Sequence, residues 1–97
     1  GEIILATEDA FEAGTLVAYP NPFNKEVSIS YMLNKAGFVH LSIYNQAGQE
    51  VKNLANDMQS VGEYSFQWYA TEFNSGMYFY RLKTADSVKA GKLLLIK

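Results

Sequence analysis

Cysteine is absent from this chain of 97 residues, and histidine occurs once, as His40. Without cysteine this chain has no disulfide bond, so either it packs well enough without one or it lives where disulfides are not relied on. One histidine and no cysteine also leave too few ligands for the clusters that bind transition metals. The absence of cysteine does not fix the compartment, because a small domain that packs well needs no disulfide.

Long apolar runs and an export signal are missing too. The apolar run near the end, LLLI, has four residues, whereas a membrane-spanning helix needs roughly 20. The start, GEIILATEDAFEAG, is acidic and lacks the basic region that opens a secretory signal peptide. We therefore expect the chain to be cut from the end of a longer protein, with any export signal lying upstream.

Charge is sparse and unevenly distributed. Eight basic and ten acidic side chains give a net charge of -2, which creates no field that would attract nucleic acid or an anionic membrane. The acidic side chains of the first fourteen residues, where no basic one occurs, are Glu2, Glu8, Asp9 and Glu12. The C-terminal part is basic, with Asp86 set against Arg81, Lys83, Lys89, Lys92 and Lys97. We predict an acidic linker over residues 1–14 and one folded domain over residues 15–97.

Apolar and aromatic residues are plentiful, at 48% and 14% of the chain, and they alternate with polar residues in the manner of half-buried strands. The positions predicted to face the core are Val27, Ile29, Tyr31, Leu33, Val39, Leu41, Ile43, Tyr64, Phe66, Trp68, Tyr78, Tyr80 and Leu82. Seven such segments, with turns every 8–12 residues, predict an all-β fold, an Ig-like antiparallel sandwich of about seven strands. In such a fold the hydroxyl of Tyr78 is placed to form a tyrosine-corner hydrogen bond.

Two connections share one pattern, NKAG at 34–37 and NQAG at 45–48. Asn in first place and Gly in fourth are typical of a type I turn. We predict a β-meander through these turns, with the segment EVKNL as a shorter third strand.

The stretch YPNPFN contains both prolines of the chain, Pro20 and Pro22. Each proline lacks a backbone donor and fixes φ, and each keeps the residue before it out of the helical region. We predict an extended corner that does not pair with other strands, with Tyr19 and Phe23 entering the core on either side of it.

The last segment, KLLLIK, is apolar on both faces. Leu94 and Ile96 face one way and Leu93 and Leu95 the other, and we expect Leu94 and Ile96 to contribute ~1.5–3 kcal/mol each by burial. Two interpretations stay open. The strand is a docking element, used by edge pairing or by burial of an apolar patch, or it is shared between both sheets.

The sequence predicts no enzyme. His40 is placed by alternation on the outer, solvent-facing side of its strand beside Ser42, and the acidic residues are scattered over strand ends and loops. No glycine-rich phosphate loop and no EF-hand spacing occurs, so we expect no catalytic, cofactor-binding or metal-binding residue. Carbohydrate-binding β-sandwich domains stack sugar rings on exposed aromatic side chains. A carbohydrate-binding or adhesive module is therefore an alternative. The candidates for such stacking are Tyr44, Tyr69, Phe73 and Phe79.

From about residue 17 to residue 97 the chain closely resembles the C-terminal sorting domains of the type IX secretion system, the Por secretion system tail family. The resemblance is carried by five segments in order: YPNPFN with VSISYML, then VHLSIYNQAGQEV, GEYSFQW, SGMYFYRL and KLLLIK. A second alternative is an Ig-like assembly domain of the flagellar hook-capping kind, which shares a similar proline-rich opening.

The resemblance implies a sorting role without catalysis. Domains of this family in Gram-negative bacteria direct an attached cargo protein through the periplasm and across the outer membrane, to the cell surface or the medium. The implied partners are an outer-membrane translocon, shuttle proteins, the upstream cargo domain and, in many members, a sortase-like peptidase. That peptidase would cut in the region matching residues 6–14. The residues matching the family's motif are Pro20, Asn21, Pro22, Phe23, Asn24, Gly48, Gly76, Tyr78, Lys92, Leu94 and Lys97.

Overall fold

The computed structural model describes residues 16–97, and the predicted linker over residues 1–14 lies outside them. The strands are β1 Leu16–Tyr19, β2 Glu26–Leu33, β3 Gly37–Tyr44, β4 Glu50–Gln59, β5 Gly62–Tyr69, β6 Gly76–Lys83 and β7 Val88–Leu95. They form two antiparallel sheets, β1-β2-β5 and β4-β3-β6-β7. The predicted all-β sandwich of seven strands is thereby confirmed for the described part of the chain. No described residue belongs to a helix that could span a membrane.

The core lies between the two sheets and is built from the alternating positions of the strands. The buried residues include Val27, Ile29, Tyr31, Leu33, Val39, Leu41, Ile43, Trp68, Tyr78, Tyr80 and Leu82, as predicted. Tyr64 and Phe66 are only partly buried and pack against this core. They lie on β5, an outer strand of its sheet, where fewer neighbours cover the side chains.

The tyrosine corner is present. The Tyr78 hydroxyl donates a hydrogen bond of 2.8 Å to the backbone carbonyl of Asn74, four residues upstream. This bond ties the loop before β6 to the strand. The prediction made from the sequence is confirmed at this position.

The predicted β-meander is only half correct. Residues 45–48 form the expected turn between β3 and β4, in which the Gly48 N–H donates to the Asn45 carbonyl (3.0 Å). Gly48 has φ +84°, a conformation that glycine adopts without strain. Residues 34–37, by contrast, lead from one sheet to the other, because β2 already lies between β1 and β5.

The third strand of the predicted meander is also longer than expected, since β4 has 10 residues. Its pairing with β3 shifts register beside Ser42 and again beside Tyr44. A bulge of this kind interrupts the period-two pattern by which a strand is recognised in a sequence.

Candidate functional site

Strand β7 lies at the edge of the four-stranded sheet, and the proline-rich corner runs along its free side. The Phe23 N–H donates to the Leu94 carbonyl (3.0 Å), and the Ile96 N–H donates to the Phe23 carbonyl (2.9 Å). These bonds make a short parallel bridge between Phe23 and Leu95. Residues 20–24 and 92–96, held together in this way, are called the clasp below.

The side chain of Asn21 extends the clasp by two further hydrogen bonds. Its amide nitrogen donates to the Lys92 carbonyl (2.8 Å). Its carbonyl oxygen accepts the Leu94 N–H (3.0 Å). An amide side chain offers a donor and an acceptor side by side, as a backbone peptide does. Asn21 thus supplies the pairing that Pro20 and Pro22 cannot.

The prediction of a non-pairing corner is therefore wrong. Two prolines remove two donors, but the N–H and carbonyl of Phe23 and the amide of Asn21 remain, and these pair with β7. This pairing covers the edge of the sheet, whose unpaired backbone groups would otherwise be free to hydrogen-bond with strands of other chains. Of the two interpretations of the last strand, sharing between the sheets is also wrong, since β7 belongs to one sheet.

An aromatic cluster lies beneath the clasp. Trp68 is 1% exposed, and its ring centroid lies 5.7 Å from that of Phe23, 5.1 Å from Phe73 and 5.2 Å from Tyr78. Such tilted and edge-on contacts add about 0.5–1.5 kcal/mol per pair to the burial itself. Phe23 enters the core as predicted, but Tyr19 is 74% exposed, because the inward positions of β1 are Leu16 and Ala18.

Lys97 is hydrogen-bonded to the loop between β5 and β6. The Lys97 ammonium donates to the Thr71 carbonyl (2.7 Å) and the Lys97 N–H donates to the Ser75 hydroxyl (2.9 Å). Gly76, which follows this loop, pairs with Leu95. The loop, the corner and the end of β7 therefore lie at one end of the sandwich.

Most of the predicted motif residues meet in and around the clasp. Those in it or bonded next to it are Pro20, Asn21, Pro22, Phe23, Asn24, Gly76, Tyr78, Lys92, Leu94 and Lys97. Gly48 is the exception, since it serves the turn between β3 and β4. Sequence reasoning missed the partners Thr71 and Ser75, whose contacts are a backbone carbonyl and a small hydroxyl without any sequence pattern.

The clasp has a buried and an exposed side. Phe23 and Tyr78 are 3% and 8% exposed, so they stabilise the fold. On the outside, Pro20, Pro22, Phe23, Asn24 and Ile96 line a shallow hollow that is wide open to solvent. The expected burial is wrong for Ile96 and only partly right for Leu94. Ile96 is 52% exposed and Leu94 is partly covered, whereas the fully buried residues of this strand are Leu93 and Leu95.

A histidine–serine contact occurs elsewhere, on the outer side of the four-stranded sheet. His40 Nε2 lies 2.8 Å from the Ser42 hydroxyl and 3.7 Å from a Glu50 carboxylate oxygen. Both partners approach the same ring nitrogen, whereas a catalytic triad uses one nitrogen for each. Ser42 is also fully buried on its central strand. The sequence placed His40 and Ser42 in solvent, which is wrong for Ser42 and only partly right for His40, whose side chain is 29% exposed.

Two tyrosines inside the sandwich, Tyr31 and Tyr80, have raised pKa values. Burial raises the pKa of Tyr31 to about 12, opposed by its hydrogen bond to Gln59. Burial also raises the pKa of Tyr80. Over residues 16–97 there is no group of three or more His, Asp or Glu side chains that would hold a metal ion.

The four aromatic residues considered for sugar stacking do not share one surface, although Tyr44 and Phe79 pair with each other across β3 and β6. Phe73 belongs to the cluster around Trp68, and Tyr44 and Phe79 are partly buried. Tyr69 alone among them is well exposed, at 61%.

Residues 17–97 match the family model of the secretion system C-terminal sorting domain. Among solved structures the chain is similar to a crystal structure of dimeric latent PorU from Porphyromonas gingivalis, with a TM-score of 0.64 and 17% sequence identity. The likeness covers 95% of this chain and 10% of the PorU chain, and at this identity it shows the fold alone. No curated protein matches the chain.

Proposed function

Because the chain belongs to the family of secretion system C-terminal sorting domains, we propose that the exposed side of its clasp is the surface recognised by the type IX machinery. A domain of this family is a sorting signal attached to a cargo protein that is exported. The proposal is carried by one observation. Two segments of the predicted motif, more than 70 residues apart in the chain, are hydrogen-bonded to each other, as in the 71-residue separation of Asn21 and Lys92.

The orientation of β1 supports this choice of surface. Leu16, the first residue of β1, pairs with Tyr31 near the end of β2. The chain therefore enters β1 at the end of the sandwich opposite the clasp and runs towards the clasp. A cargo protein linked ahead of Leu16 would therefore join the sandwich away from the clasp. The hollow beside Ile96 would stay accessible to a carrier while the cargo is attached.

The partners follow from this role. We propose that shuttle proteins and the outer-membrane translocon bind the clasp during passage through the periplasm, and that a sortase-like peptidase then cuts within residues 6–14. The domain contributes no catalytic residue in this scheme. The buried Ser42 and the shared ring nitrogen of His40 support a non-catalytic role.

The test uses a reporter with its own periplasmic export signal, fused ahead of residues 15–97 in a host that has the type IX machinery. Ile96→Asp places a charge in the exposed hollow, while the bond from Ile96 to Phe23 uses backbone atoms only. Recognition of an apolar surface is weakened by a charge that the partner must desolvate. We expect at least a tenfold loss of reporter at the surface and in the medium, with accumulation in the periplasm.

Val61→Asp is the matched control. Val61 is 61% exposed and lies between β4 and β5, at the opposite end of the sandwich. Both variants should unfold at the same urea concentration as the parent. Normal export of Ile96→Asp would refute recognition through the clasp, and failure of the parent fusion to leave the periplasm would refute the sorting function itself.

A further inference from the structure

The outer side of β6 and β7 carries three cations. Because Tyr78, Tyr80 and Leu82 point inward, alternation places Arg81 and Lys83 outward, and both are exposed. Lys92 on β7 pairs with Phe79 and is exposed on the same side. Arg81, Lys83 and Lys92, with the outward Phe79, Val88 and Leu94, are called the basic face below.

The cations of this face have no carboxylate partner among residues 16–97. The ion pairs of the described part join Lys35 with Asp86 and His40 with Glu50. None of the outward positions of β6 and β7 is acidic. Arg81 pairs with the small Ala90 and Lys83 with Val88. Neighbours on one face of a sheet are about 5–8 Å apart, so the three charges lie close enough to engage a single short segment.

The chain contains one segment of complementary chemistry. Residues 1–14 carry four acidic and no basic side chains, Glu2, Glu8, Asp9 and Glu12. The same segment has large apolar residues, Ile3, Ile4, Leu5 and Phe11. The basic face likewise mixes charge with exposed apolar surface, since Val88 is 52% exposed. Several exposed ion pairs acting together contribute more reliably than one isolated pair.

The geometry lets this segment reach the basic face. Strand β1 is an edge strand, and the corner that follows it runs directly onto the edge of β7, so the two edges lie on the same side of the sandwich. Fourteen extended residues span up to about 45–50 Å. The longest extent of the described part of the chain is 36 Å, so the segment before Leu16 is long enough to pass the β7 edge and reach the outer side of the sheet.

We propose that residues 1–14 dock on the basic face of the same chain, with their acidic side chains at Arg81, Lys83 and Lys92 and their apolar ones over Phe79 and Leu94. This docking does not depend on the sorting function. Because Lys92 and Leu94 also belong to the clasp, a carrier that binds the clasp would have to displace the docked segment from them. It would cover the basic face and would shield the segment from proteases until salt, a competing polyanion or a partner displaced it.

The absence of cysteine permits a clean test on residues 1–97. Thr7→Cys gives one attachment site for a nitroxide, which broadens the amide resonances of residues close to it. At low ionic strength we expect broadening at residues 79–83 and 88–94. It should disappear in about 0.5 M NaCl, because salt screens exposed charges beyond roughly a few ångströms.

Charge variants separate docking from chance proximity. The variant R81E/K83E/K92E should abolish the broadening. K25E/K35E/K52E, which changes the net charge equally at three exposed lysines outside the face, should retain it, even though K35E also breaks the ion pair with Asp86. Replacing Glu2, Glu8, Asp9 and Glu12 by lysine in the R81E/K83E/K92E background should restore it. This rescue keeps the test decisive even where the triple variant loses some stability.

Three results would overturn the proposal. One is the absence of broadening on β6 and β7, and another is broadening that is the same in both triple variants. The third comes from mixing isotope-labelled chains without nitroxide and unlabelled chains that carry it. If the labelled chains in that mixture show the full broadening, the segment that docks on the basic face comes from a second copy of the chain.

Discussion

Asn21 lies between two prolines, neither of which can donate a backbone hydrogen bond. Its side chain bonds both the Lys92 carbonyl and the Leu94 N–H, and in this way acts as a substitute peptide group for the edge strand. The motif Pro-Asn-Pro thus has a physical reason at the scale of one residue. The prolines stiffen the corner, and the asparagine between them supplies the pairing that they lack.

The tyrosine corner gives the first stability prediction. Tyr78→Phe removes the hydroxyl that bonds the Asn74 carbonyl at 2.8 Å and leaves the ring packed on Trp68. Losing one partner of a part-buried hydrogen bond costs roughly 1–3 kcal/mol. We expect a decrease of that size in the free energy of unfolding, measured by urea denaturation.

Tyr69→Phe is the control for this change. Tyr69 is 61% exposed, and its hydroxyl lies 3.5 Å from Gln67. Its loss should change the free energy of unfolding by less than about 0.5 kcal/mol. If both substitutions lowered the free energy of unfolding equally, the hydrogen bond from Tyr78 to Asn74 would contribute no more to stability than the exposed hydroxyl of Tyr69.

At the scale of elements, β7 depends on a contact that no side-chain pattern reveals. Gly91 pairs with Tyr80, and the Tyr80 ring lies over it, so that a Cβ at position 91 would overlap the ring. The same packing buries the Tyr80 phenol and raises its pKa. Glycine is required here for close approach, in the manner of an aromatic ring covering a strand glycine.

Gly91→Ala should therefore destabilise the domain. Forcing a methyl group into packed space costs typically 1–3 kcal/mol, because the ring or the strand must shift. Gly37→Ala is the matched change at the start of β3, where the nearest atom to the new Cβ is the Ala85 Cβ at 3.5 Å, an ordinary contact. Thermal melts of both variants should show a clear loss for Gly91→Ala alone, and a similar melting temperature for both would contradict the close packing of Tyr80.

The strands could be predicted from the sequence, but their arrangement could not. Alternation of Val27, Ile29 and Tyr31 fixes a buried face regardless of the partner strand. Strand pairing depends on contacts between residues that are far apart in the sequence. The turn pattern at 34–37 is the same whether the two strands form a hairpin or the chain crosses from one sheet to the other. The clasp was missed for the same reason. Its bonds join backbone groups to one amide side chain across 71 and 73 residues of sequence.

At the scale of the whole molecule, the last strand has separate structural and exposed sides. Leu93 and Leu95 close the core, at 0% and 1% exposure, while Ile96 faces solvent at 52%. The predicted motif segment at the end of the chain therefore combines residues that hold the fold with residues that are exposed. Removing the whole segment would abolish both roles together, so loss of export after truncation would not show recognition.

Two double variants at the end of β7 and the residue after it separate these roles. Leu93→Ala with Leu95→Ala should cost about 2–5 kcal/mol at each position. Since domains of this size are stable by roughly 5–15 kcal/mol in total, the double variant should be largely unfolded or melt far below the parent. Leu94→Ala with Ile96→Ala removes a comparable amount of side chain from the other face and should cost less than about 2 kcal/mol. Urea denaturation followed by Trp68 fluorescence measures both, because that ring lies in the core beside Phe23 and Tyr78. Equal destabilisation by the two pairs would mean that the strand is not oriented as described, and the assignment of its exposed side to a partner would fail with it.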